Sequence, residues 1–261
     1  MKILIVSGFL GAGKTTFIKR LARNVDQRFA ILENEYGAAG IDGARLGQNR
    51  QGTQKNVWEM TEQCICCIGK KDFAASVLTI ANVVDPEYLI VEPTGVGSLA
   101  RIIENLRQIE YERIQLLSPV TIVDVYSYRR YMAEYPELYQ DQIRSADTII
   151  VSKTEACQAE EKQRIQKFLQ EINSQAKIIT DYASTMTRED YQSLLLGGRY
   201  EKEVQDTQSG EKMPETFSFE NIRMEAPETL WCFLEQIIRG AFGNIIRAKG
   251  QFAAGDQFLQ F

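Results

Sequence analysis

The sequence predicts an α/β fold, a mostly parallel sheet covered by helices on both faces, followed by a small α+β unit. Three observations carry this. Short all-apolar runs alternate with stretches of helical periodicity over the first 200 residues, the pattern of strands buried on both sides. The first run, Ile3–Val6, leads directly into Gly8-Phe9-Leu10-Gly11-Ala12-Gly13-Lys14-Thr15-Thr16, a G-x-x-x-x-G-K-[ST] phosphate loop in its strand-then-helix setting. The stretch Tyr200–Thr216 then turns polar, holds Gly210 and Pro214 and loses periodicity, so it reads as a linker. The expected division is a phosphate-loop domain over 1–200, a linker over 201–214 and a partial α+β domain over 215–261.

Strands are expected at Ile3–Val6, Phe29–Glu33, Tyr88–Glu92, Val120–Asp124, Thr148–Ser152 and Ala176–Thr180. Helices are expected at Lys14–Val25, Lys70–Val83, Ser98–Leu106, Glu137–Arg144, Gln158–Glu171 and Thr187–Leu195. Phe17 and Leu21 give the first helix its apolar stripe. Thr187, with Asp190 three residues on, opens the last. Beyond the linker, Phe217–Met224 is strand-like, Pro227–Arg239 helical, and Asn244–Phe252 and Gln257–Phe261 apolar. The closing Phe258-Leu259-Gln260-Phe261 reads as a strand with no partner after it, so the chain is expected to be a shortened version of something longer.

A net charge of −5 over 261 residues offers no basic field for nucleic acid or an anionic membrane surface. No apolar run approaches the roughly 20 residues of a membrane span. Met1–Val6 reads as a core strand rather than a leader, so a cytoplasmic protein is expected. The chain has no histidine, so any metal must be held by Cys, Asp, Glu, backbone or water. Of five cysteines, three fall within Cys64–Cys67. Metal or redox chemistry is a better reading of these than structural disulfides.

The loop chemistry follows from residue type. Gly8, Gly11 and Gly13 let backbone amides curl around an anion, with Ala12 in the same turn. The start of the following helix adds its dipole. Lys14 is expected to reach the β- and γ-phosphates, Thr15 to offer its hydroxyl to Mg²⁺, and Thr16 to contact the α-phosphate. Glu92 ends an apolar strand, where an acidic group holds Mg²⁺ or its water. Gly95 can then give an amide to the γ-phosphate, a contact that exists only with triphosphate. Read without the phosphate loop, the same pair is a strand-end Glu and a helix-entry Gly.

Glu33-Asn34-Glu35-Tyr36-Gly37 and Asp42 follow the second strand. Their carboxylates could complete the Mg²⁺ shell, position water or bind a second metal, or form a solvated acidic loop. Cys64-Ile65-Cys66-Cys67 precedes a helix, a setting that favours thiolate. Two or three sulfurs with a carboxylate or water make an open Zn²⁺ site, and Cu⁺ and Co²⁺ suit the same ligands. Cys157 and Cys232, on helical patterns, are expected in the core. Ser152-Lys153-Thr154-Glu155 occupies the place of N-K-x-D in guanine-specific phosphate-loop proteins. Lys153 is kept for the base face, and Glu155 accepts from the guanine edge one methylene further out, which weakens the preference.

Taken in order, the G-F-L-G-A-G-K-T-T, E-N-E-Y-G, C-I-C-C, Glu92–Gly95 and Arg247-Ala248-Lys249-Gly250 segments resemble the CobW-like GTPases, metal-handling relatives of the urease and hydrogenase nickel-insertion GTPases. The resemblance spans nearly the whole chain. It implies slow GTP hydrolysis coupled to delivery of a transition metal, zinc or cobalt, to a client metalloprotein or corrinoid protein, and a nucleotide- or metal-dependent homodimer. It also implies roles for particular residues. Gly11, Gly13, Lys14, Thr15 and Thr16 hold phosphates and Mg²⁺, while Glu92 and Gly95 sense the γ-phosphate. Asp42 lies near Mg²⁺ or the attacking water, and Lys153 and Glu155 face guanine. Glu35, Cys66 and Cys67 ligate the transition metal, with Cys64 as a third thiolate. S-K-T-E for N-K-x-D, Pro93, Gln63 before the first cysteine and the missing histidines depart from the pattern. Two other functions fit the same motifs. One is a GTPase assembly factor for a cobalamin-type corrinoid enzyme. The other is a nucleotide-binding metal or redox sensor with negligible turnover.

Overall fold

The computed structural model describes residues 1–27, 29–35, 57–63 and 70–204, and parts of 217–261, with the backbone alone at 33–35, 57–63, 70–73, 223–224, 227, 251–254, 257–258 and 260. Seven parallel strands run in the order β3-β2-β4-β1-β6-β7-β8. They are β1 (Lys2–Gly8), β2 (Phe29–Glu35), β3 (Val57–Gln63), β4 (Tyr88–Glu92), β6 (Val120–Asp124), β7 (Thr148–Ser152) and β8 (Lys177–Ile179). The two-residue β5 (Gln115–Leu116) pairs with β1 beside this path. The helices of this region are α1 (Lys14–Asn24), α2 (Lys70–Val83), α3 (Leu99–Arg107), α4 (Tyr128–Glu134), α5 (Pro136–Arg144), α6 (Ala159–Ile172), α7 (Tyr182–Thr185) and α8 (Arg188–Leu196).

Alternation along β1 sorts its side chains between two cores. Ile3 and Ile5 join Leu89 and Val91 under α2 and α3. Leu4 and Val6 join Ile31 and Ile90 under α1 and α8. Both faces are therefore covered, which is why these strands read as unbroken apolar runs. A third core packs β6 and β7 against α4, α5 and α6 and takes in Phe9 of the phosphate loop. Thr187 and Asp190 form the expected capping box on α8. No described helix is long and apolar enough to cross a membrane.

Several expectations need correction. β3 reads as no strand in sequence because Glu59, Thr61, Glu62 and Gln63 interrupt its apolar residues. Among the described strands it pairs only with β2, and an edge position tolerates such polarity. Helices α4 and α7 were not expected either. Tyr200, placed at the start of the polar stretch, is buried. Its amide donates to the Leu116 carbonyl, its hydroxyl donates to Ser145 O at 3.0 Å, and burial pushes its pKa up to about 12. Val204 also packs on the first core. Cys157, in the turn before α6, is half-buried and packs against the third core as expected, whereas Cys232 is exposed rather than in a core.

Past residue 216, β9 (Arg223–Met224), α9 (Pro227–Ile238), β10 (Gln251–Ala254) and β11 (Gln257–Gln260) make a small three-stranded unit in the order β11-β10-β9. Within Phe217–Met224 only Arg223 and Met224 are described as strand. The terminal strand pairs antiparallel with the preceding β10, from Gln251↔Gln260 to Ala254↔Gln257. Leu230 and Leu234 of α9 pack on Leu259 and Phe261.

Candidate nucleotide site

Every strand that matters ends on a residue singled out by its chemistry or its neighbour. β1 ends at Gly8, β4 at Glu92, β6 at Asp124, β7 at Ser152 and β2 at Glu35. Because the strands are parallel, these residues share one end of the sheet, the end where open α/β folds take their ligands.

Gly8, Gly11 and Gly13 adopt φ values of 141°, 70° and 98°, a region costly for any residue with a Cβ. Their surroundings differ. A Cβ on Gly8 would lie 2.4 Å from Ile122 O, whereas one on Gly11 would meet nothing within 4 Å. Gly8→Ala is therefore expected to cost about 2–4 kcal/mol, strain and overlap combined. Gly11→Ala costs only the strain, about 1–2 kcal/mol. Urea denaturation of the two variants checks this, and equal losses would refute the close packing of Gly8 on β6.

Gly13 precedes α1 in left-handed conformation, no side chain caps that end and no acidic residue lies in the first turn. An uncapped helix start without acidic residues is the arrangement in which helices take anions. Lys14 is 7% exposed, and its Nζ donates to Gly8 O at 2.9 Å and to Phe9 O at 3.4 Å. The ammonium is held inside the loop rather than out in water. Thr15 Oγ1 donates to Glu92 Oε1 at 2.9 Å. A hydroxyl and a carboxylate brought together in this way make an oxygen donor pair of the kind Mg²⁺ takes. Ser152 Oγ donates to Ala12 O at 2.6 Å, tying β7 to the loop. Thr16 follows in the first turn of α1.

The Glu92–Gly95 segment lies directly on this loop. A Cβ on Gly95 would fall 2.5 Å from Leu10 N and 2.8 Å from Phe9 C, so only glycine permits the approach. Behind the loop, Phe9 sits among Tyr131, Tyr135 and Tyr139, with ring centroids 4.2, 5.5 and 5.8 Å away. The Tyr131 hydroxyl donates to Leu10 O at 3.1 Å. Burial, reinforced by Asp124, pushes the Tyr139 phenol well above its ordinary pKa, so it stays neutral.

Lys153 takes a left-handed backbone, φ 60°, and its Nζ donates to Asp124 Oδ2 at 2.6 Å. Asp124 is itself buried and accepts from Tyr126 N at 2.9 Å and Ser127 Oγ at 2.8 Å. Glu155 is exposed beside Lys153. Next to this loop, hydrogen bonds from Lys162 and Thr154 hold the Asp181 carboxyl below the usual carboxylate range. Asp124 was missed in the sequence, although V-T-I-V-D ends on an acid just as Y-L-I-V-E does. Tyr131, Asp141 and Gln142 were missed too. The signal for Gln142 is its spacing of four from Leu138, which puts an amide on the buried stripe of α5.

Asp42, Cys64, Cys66 and Cys67 lie outside the described residues, and of Glu35 only the backbone is described. Among the described residues no group of three or more His, Cys, Asp or Glu side chains is placed to hold a metal ion.

The nucleotide-binding-domain profile shared by CobW, HypB and UreG matches residues 2–180. The chain belongs to the CobW/HypB/UreG family. It is 30% identical over 178 residues to a protein named zinc chaperone YeiR from Escherichia coli, covering 67% of this chain and 53% of that one. It is 27% identical over 209 residues to a zinc chaperone CobW from Pseudomonas aeruginosa, covering 69% and 56%. A zinc-regulated GTPase metalloprotein activator from Dictyostelium discoideum is 24% identical, covering 69% and 45%. The chain thus spans about half the length of the curated relatives it matches. Among solved structures, the Zn(II)-bound YjiA GTPase of Escherichia coli is similar in fold, with a TM-score of 0.56 and 18% identity over 100% of this chain and 86% of that one.

Proposed function

We propose that this chain binds and slowly hydrolyses GTP and uses the nucleotide state to control the holding and transfer of a transition metal, zinc first, to a client metalloprotein. Four relatives of which the chain covers about half carry zinc-chaperone names, and one covered to 45% is named a zinc-regulated GTPase metalloprotein activator. Co²⁺ would suit the same thiolate set, but those names make zinc the first metal to test.

The observation that carries the coupling is the register of β2. Glu33 pairs with Glu92 of β4, and Glu35 pairs with Gln63 of β3. Strand spacing and rise put the Glu35 Cα roughly 8 Å from that of Glu92, and Gln63 about 5 Å further across the sheet. Cys64 follows Gln63 in sequence. The segments carrying the proposed zinc ligands Glu35, Cys64, Cys66 and Cys67 therefore leave the sheet at the same end as the proposed Mg²⁺ group.

In this reading Lys14 neutralises charge on the β- and γ-phosphates, and Thr15 and Glu92 would hold Mg²⁺, which would supply further positive charge against the phosphates. Gly95 donates its amide to the γ-phosphate, while Asp42 belongs to the loop near the attacking water. Lys153, steadied by Asp124, covers the base, and Glu155 accepts from its edge. The chain has no histidine to act as base, and turnover without an activator is expected to be slow.

Zinc titrations with and without a non-hydrolysable GTP analogue test the coupling. Affinity is expected to change about 5- to 150-fold with the analogue. Cys66→Ala combined with Cys67→Ala is expected to remove tight zinc binding while leaving GDP affinity intact. Identical zinc isotherms with and without nucleotide would remove the coupling, and an unchanged isotherm in the double variant would remove the ligand assignment.

A further inference from the structure

Helices α4 and α5 grip both walls of the proposed cradle, and the α5 contacts are unusual for a merely structural helix. We propose that Gln142 is the positioning residue that sets the Gly95 turn, and so determines how strongly the site prefers triphosphate over diphosphate. The inference rests on Gly95 as the γ-phosphate contact, and extends that reading to its control.

Gln142 is 1% exposed. Its Nε2 donates to Gly95 O at 3.1 Å and to Gly97 O at 2.9 Å, which uses both amide protons. Its Oε1 is buried and has no partner among the described residues. A buried amide with a bare oxygen is a poor stabiliser, and an apolar side chain of similar size would avoid the cost. What glutamine supplies that such a side chain lacks is a pair of donors at fixed separation, both spent on this one turn.

The turn itself is well defined. Gly97 N donates to Thr94 O at 3.0 Å, closing Thr94–Gly97. The Thr94–Gly95 peptide is trans, so with Thr94 O directed into the turn the Gly95 N–H points out of it. Gly95 rests on the Phe9–Leu10 backbone with no side chain between. Immediately beyond, Asp141 Oδ2 accepts from Leu99 N at 2.6 Å and fixes the start of α3. The carbonyl of Gln142 accepts from Thr121 Oγ1 at 2.9 Å, which anchors α5 to β6. Two adjacent α5 residues thus hold the turn and the helix that follows it, from a base secured on the sheet.

Only a γ-phosphate reaches the Gly95 amide in this reading, so a loosened turn weakens triphosphate binding and leaves diphosphate binding alone. A destabilised fold weakens both. Gln142→Met keeps the volume and removes the donors. Gln142→Glu keeps the shape and sets an acceptor against two carbonyls. Calorimetric titration of the full chain with GDP and with a non-hydrolysable GTP analogue, both with Mg²⁺, separates the cases. Both variants are expected to lose about tenfold in analogue affinity with GDP affinity within about twofold of the parent. If the two affinities fall together, or their ratio stays at the parent value, Gln142 has no such role although the site stands. If the parent chain binds neither nucleotide, the reading of the site fails and takes this inference with it.

Discussion

Lys14→Ala is expected to abolish measurable nucleotide binding while leaving the protein folded. The ammonium is nearly buried and is held by two loop carbonyls, Gly8 O and Phe9 O. An incoming polyphosphate meets a cation already inside the cradle, so little side-chain entropy is lost on binding. Removing one partner of a buried charge pair costs about 3–5 kcal/mol, or roughly 100- to 1000-fold and more in affinity. The fold should tolerate the change. Lys14 opens α1, alanine is the best helix former, and the substitution also removes a charge from a low-dielectric place. Titration with GDP and a GTP analogue reads the affinity, and circular dichroism the fold. Parent-like affinity in a folded variant would disprove the cradle.

Gly95→Ala should produce the second large effect, and a different one. Its Cβ would fall within 3 Å of Leu10 N, Phe9 C and Leu10 Cα. All three are backbone atoms of the phosphate loop, so no flexible side chain can move aside. Either the turn lifts away or the loop is pushed out of shape. The Gln142 and Asp141 contacts hold the turn from behind, but the loop is held by the whole of β1 and by Tyr131. The turn is the part that yields. A shift of about 1 Å in a positioning group costs on the order of 100-fold in rate. GTP hydrolysis is therefore expected to fall about 100-fold, with GDP affinity nearly unchanged. Loss of GDP binding in the same variant would mean that the loop moved instead.

The alternation of apolar runs and helices was legible because both faces of the central strands are covered. Ile3 to Val6 carry no polar residue whichever core they face. The phosphate loop was legible because its glycines, lysine and threonine are contiguous. The failures have separate causes. β3 is an edge strand, so its sequence need not be apolar, and the ladder that carries the cysteine segment went unseen. Tyr131 and Gln142 touch residues more than forty positions away in sequence, and nothing local in α4 or α5 announces those partners. Asp124 could have been found by analogy with Glu92. Cys232 was expected in a core because it falls on a helical pattern. Only one side of α9 is turned to Leu259 and Phe261, and Trp231 stands outside it, 74% exposed.

The outermost position of β3 has a mechanical consequence. A central strand is fastened along both flanks, and displacing it means breaking two rows of hydrogen bonds. β3 is fastened along one, to β2 alone among the described strands. β2 in turn leans on β4 at the rung that joins Glu33 to Glu92. A tug at the phosphate end therefore has a short, single-file route outward, and its last link is held along one flank where the central strands are held along two. In the proposed coupling, a shift of β3 would redirect the cysteine segment that follows Gln63 in sequence and leave the central strands in place.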